Sequence, residues 1–240
     1  MRDLYNIYRQ LNFYDHQKDL YRHTAYFYRM NPGTRLSLPA NGIFNFEECL
    51  WFLNRDYDDC MHSIDSNTLH KATRIDEKPC LLSITGDDKQ IQAIVLQGET
   101  GHREGAAAFI RQWFDLDRDL TPFYTLLQTH KKLAYMADSF YGLRRIGIPD
   151  IFEALCWSII GQQINLSFAY RMKRRLTERY GTHLSYEGKQ HWLFPQPAVL
   201  AGADVDELRA MQFSQKKAEY LIGLAQLFAS GKLSRAILES

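Results

Sequence analysis

Phe46, Leu50 and Leu53 recur at i, i+4 and i+7, so one face of a helix over about residues 44–55 would be apolar. Between Cys80 and Leu96 the period changes to two. Cys80, Leu82 and Ile84 share one face, Ile91, Ala93 and Val95 share another, and Gly86-Asp87-Asp88-Lys89 separates the two runs. This pattern predicts a β-hairpin, with the shorter, mixed run Leu69–Ile75 as a further strand. Ala106, Ile110, Trp113 and Phe114 then return to helical spacing. The first module is therefore expected to be α+β, with helices packed on a small antiparallel sheet.

Beyond about residue 120 no strand is expected. Phe152–Ile160 reads as a helix with Leu155, Ile159 and Ile160 facing inward, and a break at Gly161-Gln162-Gln163 precedes a second helix, Leu166–Tyr180. Its stripe is Ala169, Met172, Leu176 and Tyr180, with Gly181 as a left-handed terminator. Asp204 with Glu207 has the spacing of a capping box. Ser214 can cap a longer helix whose inward side is Ala218, Leu221, Ile222, Ala225 and Phe228, with Gly231 just past its end. The expected organisation is an atypical extension over 1–40, an α+β domain over 41–120 and an all-α domain over 121–240. Within the extension, six tyrosines between Tyr5 and Tyr28 alternate with Arg2, Arg9, Lys18, Arg22 and Arg29. A stacking surface for nucleic acid, a short amphipathic helix around Leu4–Leu11, and an addition foreign to the fold all fit that segment. Asn31-Pro32-Gly33 ends it as a turn.

The 240 residues are 45% hydrophobic and 24% charged with a net charge of +1, which excludes both a disordered chain and a histone-like binder. The charge is uneven. From Gly142 onward 13 Lys/Arg face 9 Asp/Glu, while the first 141 residues carry 16 against 19. A mildly basic second half suits a polyanion, as it suits many ordinary domains. Cys49, Cys60, Cys80 and Cys156 form no CxxC pair, so neither a zinc site nor an iron–sulfur cluster is indicated. They read as small buried hydrophobes in a reducing compartment. With no long apolar run and no secretory segment, a cytoplasmic protein is expected, with no metal, no cofactor and no membrane.

The stretch Glu153–Gly181, EALCWSIIGQQINLSFAYRMKRRLTERYG, resembles the helix–hairpin–helix DNA glycosylases, specifically the AlkA-type 3-methyladenine branch. Tyr141-Gly142-Leu143-Arg144 precedes it like that branch's lead-in. Phe194-Pro195-Gln196-Pro197 follows it like the family's FPxP segment, with two helices after it. The resemblance runs from about Phe44 to Leu233 and is dense from Tyr141 onward. It implies a TBP-like sheet domain followed by a helical glycosylase domain, and base-excision repair of duplex DNA carrying alkylated bases, by a monomer. Such an enzyme turns the damaged nucleotide out of the stack and fills the gap with a side chain. By the resemblance, Gly161 allows the turn between the two helices and Gln163, beside Gln162, is the intercalating residue. Without it, Gln162 and Gln163 would simply satisfy helix-end groups. In the cluster Arg171, Lys173, Arg174, Arg175 and Arg179, Arg171 and Lys173 are the candidate phosphate contacts; a solvated face is the other reading. Phe52 aligns with an aromatic of the family's base pocket, where cationic purines stack, and is equally readable as core.

The family's phosphate-binding hairpin, LPGxGxWTA, and the aspartate that stabilises its oxocarbenium-like transition state are expected beyond Ser240. No GxG occurs in the sequence, and Asp204 and Asp206 precede the place where the hairpin would stand. No catalytic residue is therefore assigned. The chain is expected to be an incomplete helical domain with exposed apolar faces, inactive in excision by itself. A non-catalytic DNA-binding protein or a small-molecule-binding regulator remains the alternative.

Overall fold

The computed structural model describes residues 35–55, 57–99 and 102–239. The proposed Leu4–Leu11 helix, the tyrosine-rich segment and the Asn31-Pro32-Gly33 turn lie outside the described residues. Five strands form one antiparallel sheet in the order β1-β5-β4-β3-β2. They are β1 (Arg35–Pro39), β2 (Ser63–Asp65), β3 (Thr68–Ile75), β4 (Lys78–Gly86) and β5 (Gln90–Gln97). The hairpin read from the alternation is β4–β5, with Leu82 opposite Val95 and Ile84 opposite Ala93. Its turn is held by the Asp87 carboxylate, which accepts from the main-chain N–H groups of Lys89 and Gln90, each at 2.8 Å. β1 begins at Arg35 and pairs with β5, so the sheet starts inside the stretch expected to be an extension. Leu36 and Leu38 are the reason: their side chains enter the core while Arg35, Ser37 and Pro39 face out.

One face of the sheet is covered by α1 (Phe46–Leu53) and α2 (Arg103–Trp113). Asn45 caps α1 by accepting from the N–H of Glu47 at 2.9 Å. Phe46 and Leu50 from α1, Ala106 and Ile110 from α2, and Phe114 just beyond it are buried with Leu82, Ile84 and Ile91 in the first core. The helices α3 (Thr121–Thr129) and α4 (Tyr135–Ser139) follow. Arg144, from the Tyr141–Arg144 lead-in, is buried and donates to the carbonyls of Asn41 at 2.8 Å, Asp115 at 3.1 Å and Arg118, tying three loops together.

A second core is built by α5 (Ile151–Ile160), α6 (Leu166–Tyr180), α7 (Pro197–Leu200), α8 (Val205–Ala210) and α9 (Gln215–Ala229), ahead of the single turn α10 (Arg235–Leu238). Cys60 and Met61, from the loop after α1, are buried in this core and not in the first. All four cysteines are buried thiols. On α6 and α9 the expected stripes face inward: Ala169, Met172 and Leu176, then Ala218, Leu221, Ile222 and Ala225. Ser214 caps α9 through the N–H of Lys217, and Gly231 past its end has φ 71°.

Four expectations are corrected here. The second module is not all-α: β6 (Thr182–Tyr186) and β7 (Lys189–Leu193) form a separate hairpin. Its turn is Glu187-Gly188, with φ 48° and 75°, the doubly left-handed geometry that matches strand twist. Half of its strand positions are exposed, so the alternation is faint; Leu193 is packed against Ala72 and Leu81, and His191 is the other buried side chain of the two strands. Gly181 is not left-handed, at φ −81°. A Cβ there would stand 2.4 Å from the Leu193 oxygen and 2.5 Å from that of Thr177, so the close approach of β7 demands glycine. On α5 the buried apolar positions are Phe152, Cys156 and Ile160, spaced by four, with Glu153 also buried, while Leu155 and Ile159 are half-buried. Asp204 caps α8, but the Glu207 carboxylate turns away to Arg179 and Tyr180, so the box is not closed.

Candidate nucleic-acid and base-binding site

α5 starts on Asp150, whose carboxylate accepts from the N–H of Phe152 at 2.8 Å and of Glu153 at 3.1 Å. α6 starts on Asn165, which accepts from the N–H of Phe168 at 2.8 Å. Between these helices Gln162 and Gln163 are exposed. Gly161, expected to make the turn possible, has an ordinary right-handed backbone at φ −73°. A Cβ on it would come no closer than 3.4 Å, to the Trp157 oxygen. The left-handed residue is Gln163, at φ 55°. A non-glycine residue held there is strained by roughly 1–2 kcal/mol, the kind of cost found where a side chain must be aimed.

The basic run on α6 separates by role. Arg174 pairs with Asp58 at 2.6 Å and Glu178 at 3.2 Å, Arg175 reaches Gln212, and Arg179 pairs with Glu207. Arg171 is exposed, lies 5.6 Å from the Phe168 ring centre, and has no side-chain hydrogen bond or ion pair among the described residues. Lys173 is corrected. It is 3% exposed and its ammonium is 2.7 Å from Glu153 of α5, so it reaches no phosphate. It falls four residues after Ala169 and next to Met172, on the inward face, where a carboxylate on the facing helix meets it.

Between the sheet module and the helices lies a cavity of about 260 Å³. A cavity of roughly 150 Å³ already admits benzene, so there is space for a bicyclic ring. Trp157, one turn before Gly161, and Leu166, three residues after Gln163, both line it. So does Phe52, as the resemblance implied, but the Arg55 guanidinium already covers its ring at 3.6 Å. Tyr170 stands 4.7 Å from Trp157 and is stacked on Tyr57 at 5.0 Å.

The cavity also holds charge that pattern reading did not find. Asp59, Asp150 and Glu153 face Arg55, Lys71, Arg74 and Lys173 across it, with His62 among them. Burial pushes the Asp59 carboxyl up, but Lys173, His62 and the Met61 N–H more than offset this and hold it below its usual range. Glu153 behaves the same way, through Lys173 and Lys71. Burial dominates at His62 and lowers its pKa, keeping the ring neutral near pH 7. Burial and the neighbouring Glu153 raise Asp150. The missed signal at Lys71 was its register: it shares a face of β3 with Leu69, two residues away, where an apolar residue belongs. No three His, Cys, Asp or Glu side chains among the described residues are placed to hold a metal ion. No helix among them is long and apolar enough to cross a membrane.

Residues 156–238 match the HhH-GPD superfamily of base excision DNA repair proteins, and residues 50–155 match the N-terminal domain of 8-oxoguanine DNA glycosylase. The DNA-3-methyladenine glycosylase of Bacillus subtilis is 41% identical over 205 residues, covering 83% of this chain and 67% of its own length. DNA-3-methyladenine glycosylase 2 of Escherichia coli is 35% identical over 96 residues, 40% of this chain and 34% of that protein. In solved structures, a 3-methyladenine DNA glycosylase from Archaeoglobus fulgidus shares the fold with a TM-score of 0.70 at 22% identity, covering 80% of this chain and 66% of that one. The Clostridium acetobutylicum 8-oxoguanine glycosylase/lyase does so with a TM-score of 0.61 at 19% identity, covering 82% and 64%. The chain thus spans about two thirds of the relatives it matches along most of its own length. It belongs to the HhH-GPD superfamily of base excision DNA repair proteins, in the 3-methyladenine DNA glycosylase branch.

Proposed function

We propose that the chain turns an alkylated base out of duplex DNA into the aromatic cavity, for hydrolytic removal at the bond joining base to sugar. The observation that carries this reading is the exposed, left-handed Gln163 on the capped turn between α5 and α6, two helices that both line a cavity wide enough for a base. Gln163 fills the vacated position and hydrogen-bonds the orphaned partner base. Arg171 meets a phosphate, and Phe52, with Trp157 and Tyr170, flanks the extruded ring. Duplex DNA is the partner, the working form is a monomer in the cytoplasm, and no cofactor is required.

Cleavage puts positive charge on the sugar, which a facing carboxylate would stabilise. The cavity's own carboxylates are committed elsewhere: Asp59 accepts from the Met61 N–H at 2.9 Å, Asp150 caps α5 and Glu153 pairs with Lys173. None of them is assigned that role. Flipping is tested with a duplex carrying 2-aminopurine beside an alkylated base. Saturating protein should raise the probe's fluorescence on damaged DNA and leave the undamaged duplex dark. Equal fluorescence on both duplexes would overturn the reading.

A further inference from the structure

Phe52 stands in the last turn of α1, where main-chain oxygens have no partner further along the helix. Arg55, just past the Asn54 cap, supplies one: its Nε donates to the Phe52 oxygen at 2.7 Å. That bond folds the side chain back, and the guanidinium carbon rests 3.6 Å from the centre of the Phe52 ring. One face of the ring is thus taken by a planar cation in van der Waals contact. Phe52 and Arg55 both line the cavity. Other cations of its wall are tied down: Lys173 is paired with Glu153, and Arg74 donates to the Phe194 carbonyl at 2.9 Å. Arg55 is half-buried and has no ion pair among the described residues. Its guanidinium can therefore turn out to water, or toward the Tyr57 ring 5.5 Å away.

From this we infer that Arg55 is a displaceable plug, which keeps the Phe52 face covered until an entering base takes its place. Uncovering the ring costs the same whatever enters. What differs is how much of that cost is returned. A base made cationic by alkylation renews the contact with Phe52 that the guanidinium gives up, and an undamaged, uncharged base renews only part of it. The plug therefore sets a threshold that undamaged bases meet at a loss. The inference rests on the reading that this cavity receives the extruded base, and it adds a residue that holds the stacking surface shut in the free protein.

Calorimetric titration of the full 240-residue chain reads the slot without DNA. The probes are 1-methylquinolinium, a flat bicyclic cation, and quinoline, its parent, which is uncharged at neutral pH. Arg55→Ala should tighten both by roughly three- to thirtyfold, the range of a cation–π contact, with the cation remaining the tighter of the two. If Arg55→Ala fails to melt cooperatively, Arg55→Gln, which can still donate to the Phe52 oxygen, should show a gain in the same direction. In a Phe52→Leu background the gain from Arg55→Ala should vanish, because no ring is uncovered. On DNA, Arg55→Ala should brighten the undamaged 2-aminopurine duplex that the parent leaves dark. Weaker binding in Arg55→Ala would make Arg55 a ligand contact, and unchanged binding would put the guanidinium off the ligand's face of the ring. Either result overturns the inference. So would a gain that persists with Phe52→Leu, or binding of neither probe by any of these proteins. An undamaged duplex that stays dark with Arg55→Ala, where the parent flips the damaged base, would overturn it too. If the calorimetry holds and the parent flips no base, the plug stands and the base-flipping reading fails.

Discussion

The ammonium of Lys217, on α9, donates at 2.8 Å to the main-chain oxygen of Gln162 and at the same distance to that of Ile160. One side chain from a different helix thus closes the end of α5 and fixes the turn that presents Gln163. These carbonyls would otherwise be orphaned where the helix ends. Hydrogen bonds to a charged group contribute about 1.5–3 kcal/mol.

Lys217→Met should therefore destabilise the protein by about that amount, with the loss concentrated at the turn. Amide exchange at Gly161, Gln162 and Gln163 should accelerate strongly, while amides of β4 and β5 keep their protection. Lys217→Arg, which can donate to both oxygens, should recover most of the protection. Unchanged exchange at the turn in Lys217→Met would show that something else holds it.

The Lys173–Glu153 pair supports a second prediction. Removing one partner strands a buried charge, so Glu153→Leu alone should cost about 3–5 kcal/mol in urea unfolding. Lys173→Met added to Glu153→Leu replaces the pair by apolar surface and should restore most of that loss. A double variant no more stable than Glu153→Leu alone would mean that the pair serves packing rather than charge.

Acid sensitivity follows from the same region. Burial lowers the pKa of His62 below its ordinary 6.5, and burial also lowers His70 and His191. The unfolded chain therefore takes up protons first. Stability from these groups is complete above pH 6.5 and is lost as pH falls through their folded-state values. Glu153 and Asp59, both held low, add a further loss below their ordinary 4.5 and 3.8. The melting temperature should be flat above pH 7, decline from about pH 6.5 and fall more steeply below pH 4.5. His62→Gln should flatten the upper part of that decline.

Why Lys71, Lys173 and Lys217 escaped pattern reading is itself physical. The apolar stripes of α1, α2, α6 and α9 and the alternation of β4 and β5 were legible because burial at those positions follows a period. Lys173 belongs, in sequence, to a run of five cations that looks like a solvated face, and only Glu153 on a neighbouring helix shows it to be inward. Lys217 looks like an ordinary first-turn lysine until α9 is placed against the end of α5. The β6–β7 hairpin was missed because half of its strand positions are exposed and few are apolar, and the Glu187-Gly188 turn was its one clear local sign. Family resemblance located the turn and Phe52, but not which residue of the turn carries the left-handed backbone.

That residue gives the last prediction. Gln163 combines a strained backbone, φ 55°, with an exposed side chain that makes no hydrogen bond among the described residues. Gln163→Gly removes the side chain and also the left-handed penalty, since glycine adopts that region freely. Greater chain freedom in the unfolded state opposes part of the gain, so stability should stay level or rise by up to about 1 kcal/mol. Flipping should respond in the opposite direction. Without a filler, holding a base out of the stack costs roughly a few kcal/mol more. The 2-aminopurine signal should drop on fully paired damaged DNA, and drop less where the damaged base is already mismatched and loose. Arg171→Ala should instead weaken both substrates alike and reduce the salt dependence of binding, because a phosphate contact is blind to pairing. A purely structural glutamine predicts a different pair of results for Gln163→Gly: lower stability, and equal effects on paired and mismatched DNA. A variant as stable as the parent that loses flipping selectively on paired DNA would separate the two accounts in favour of the wedge.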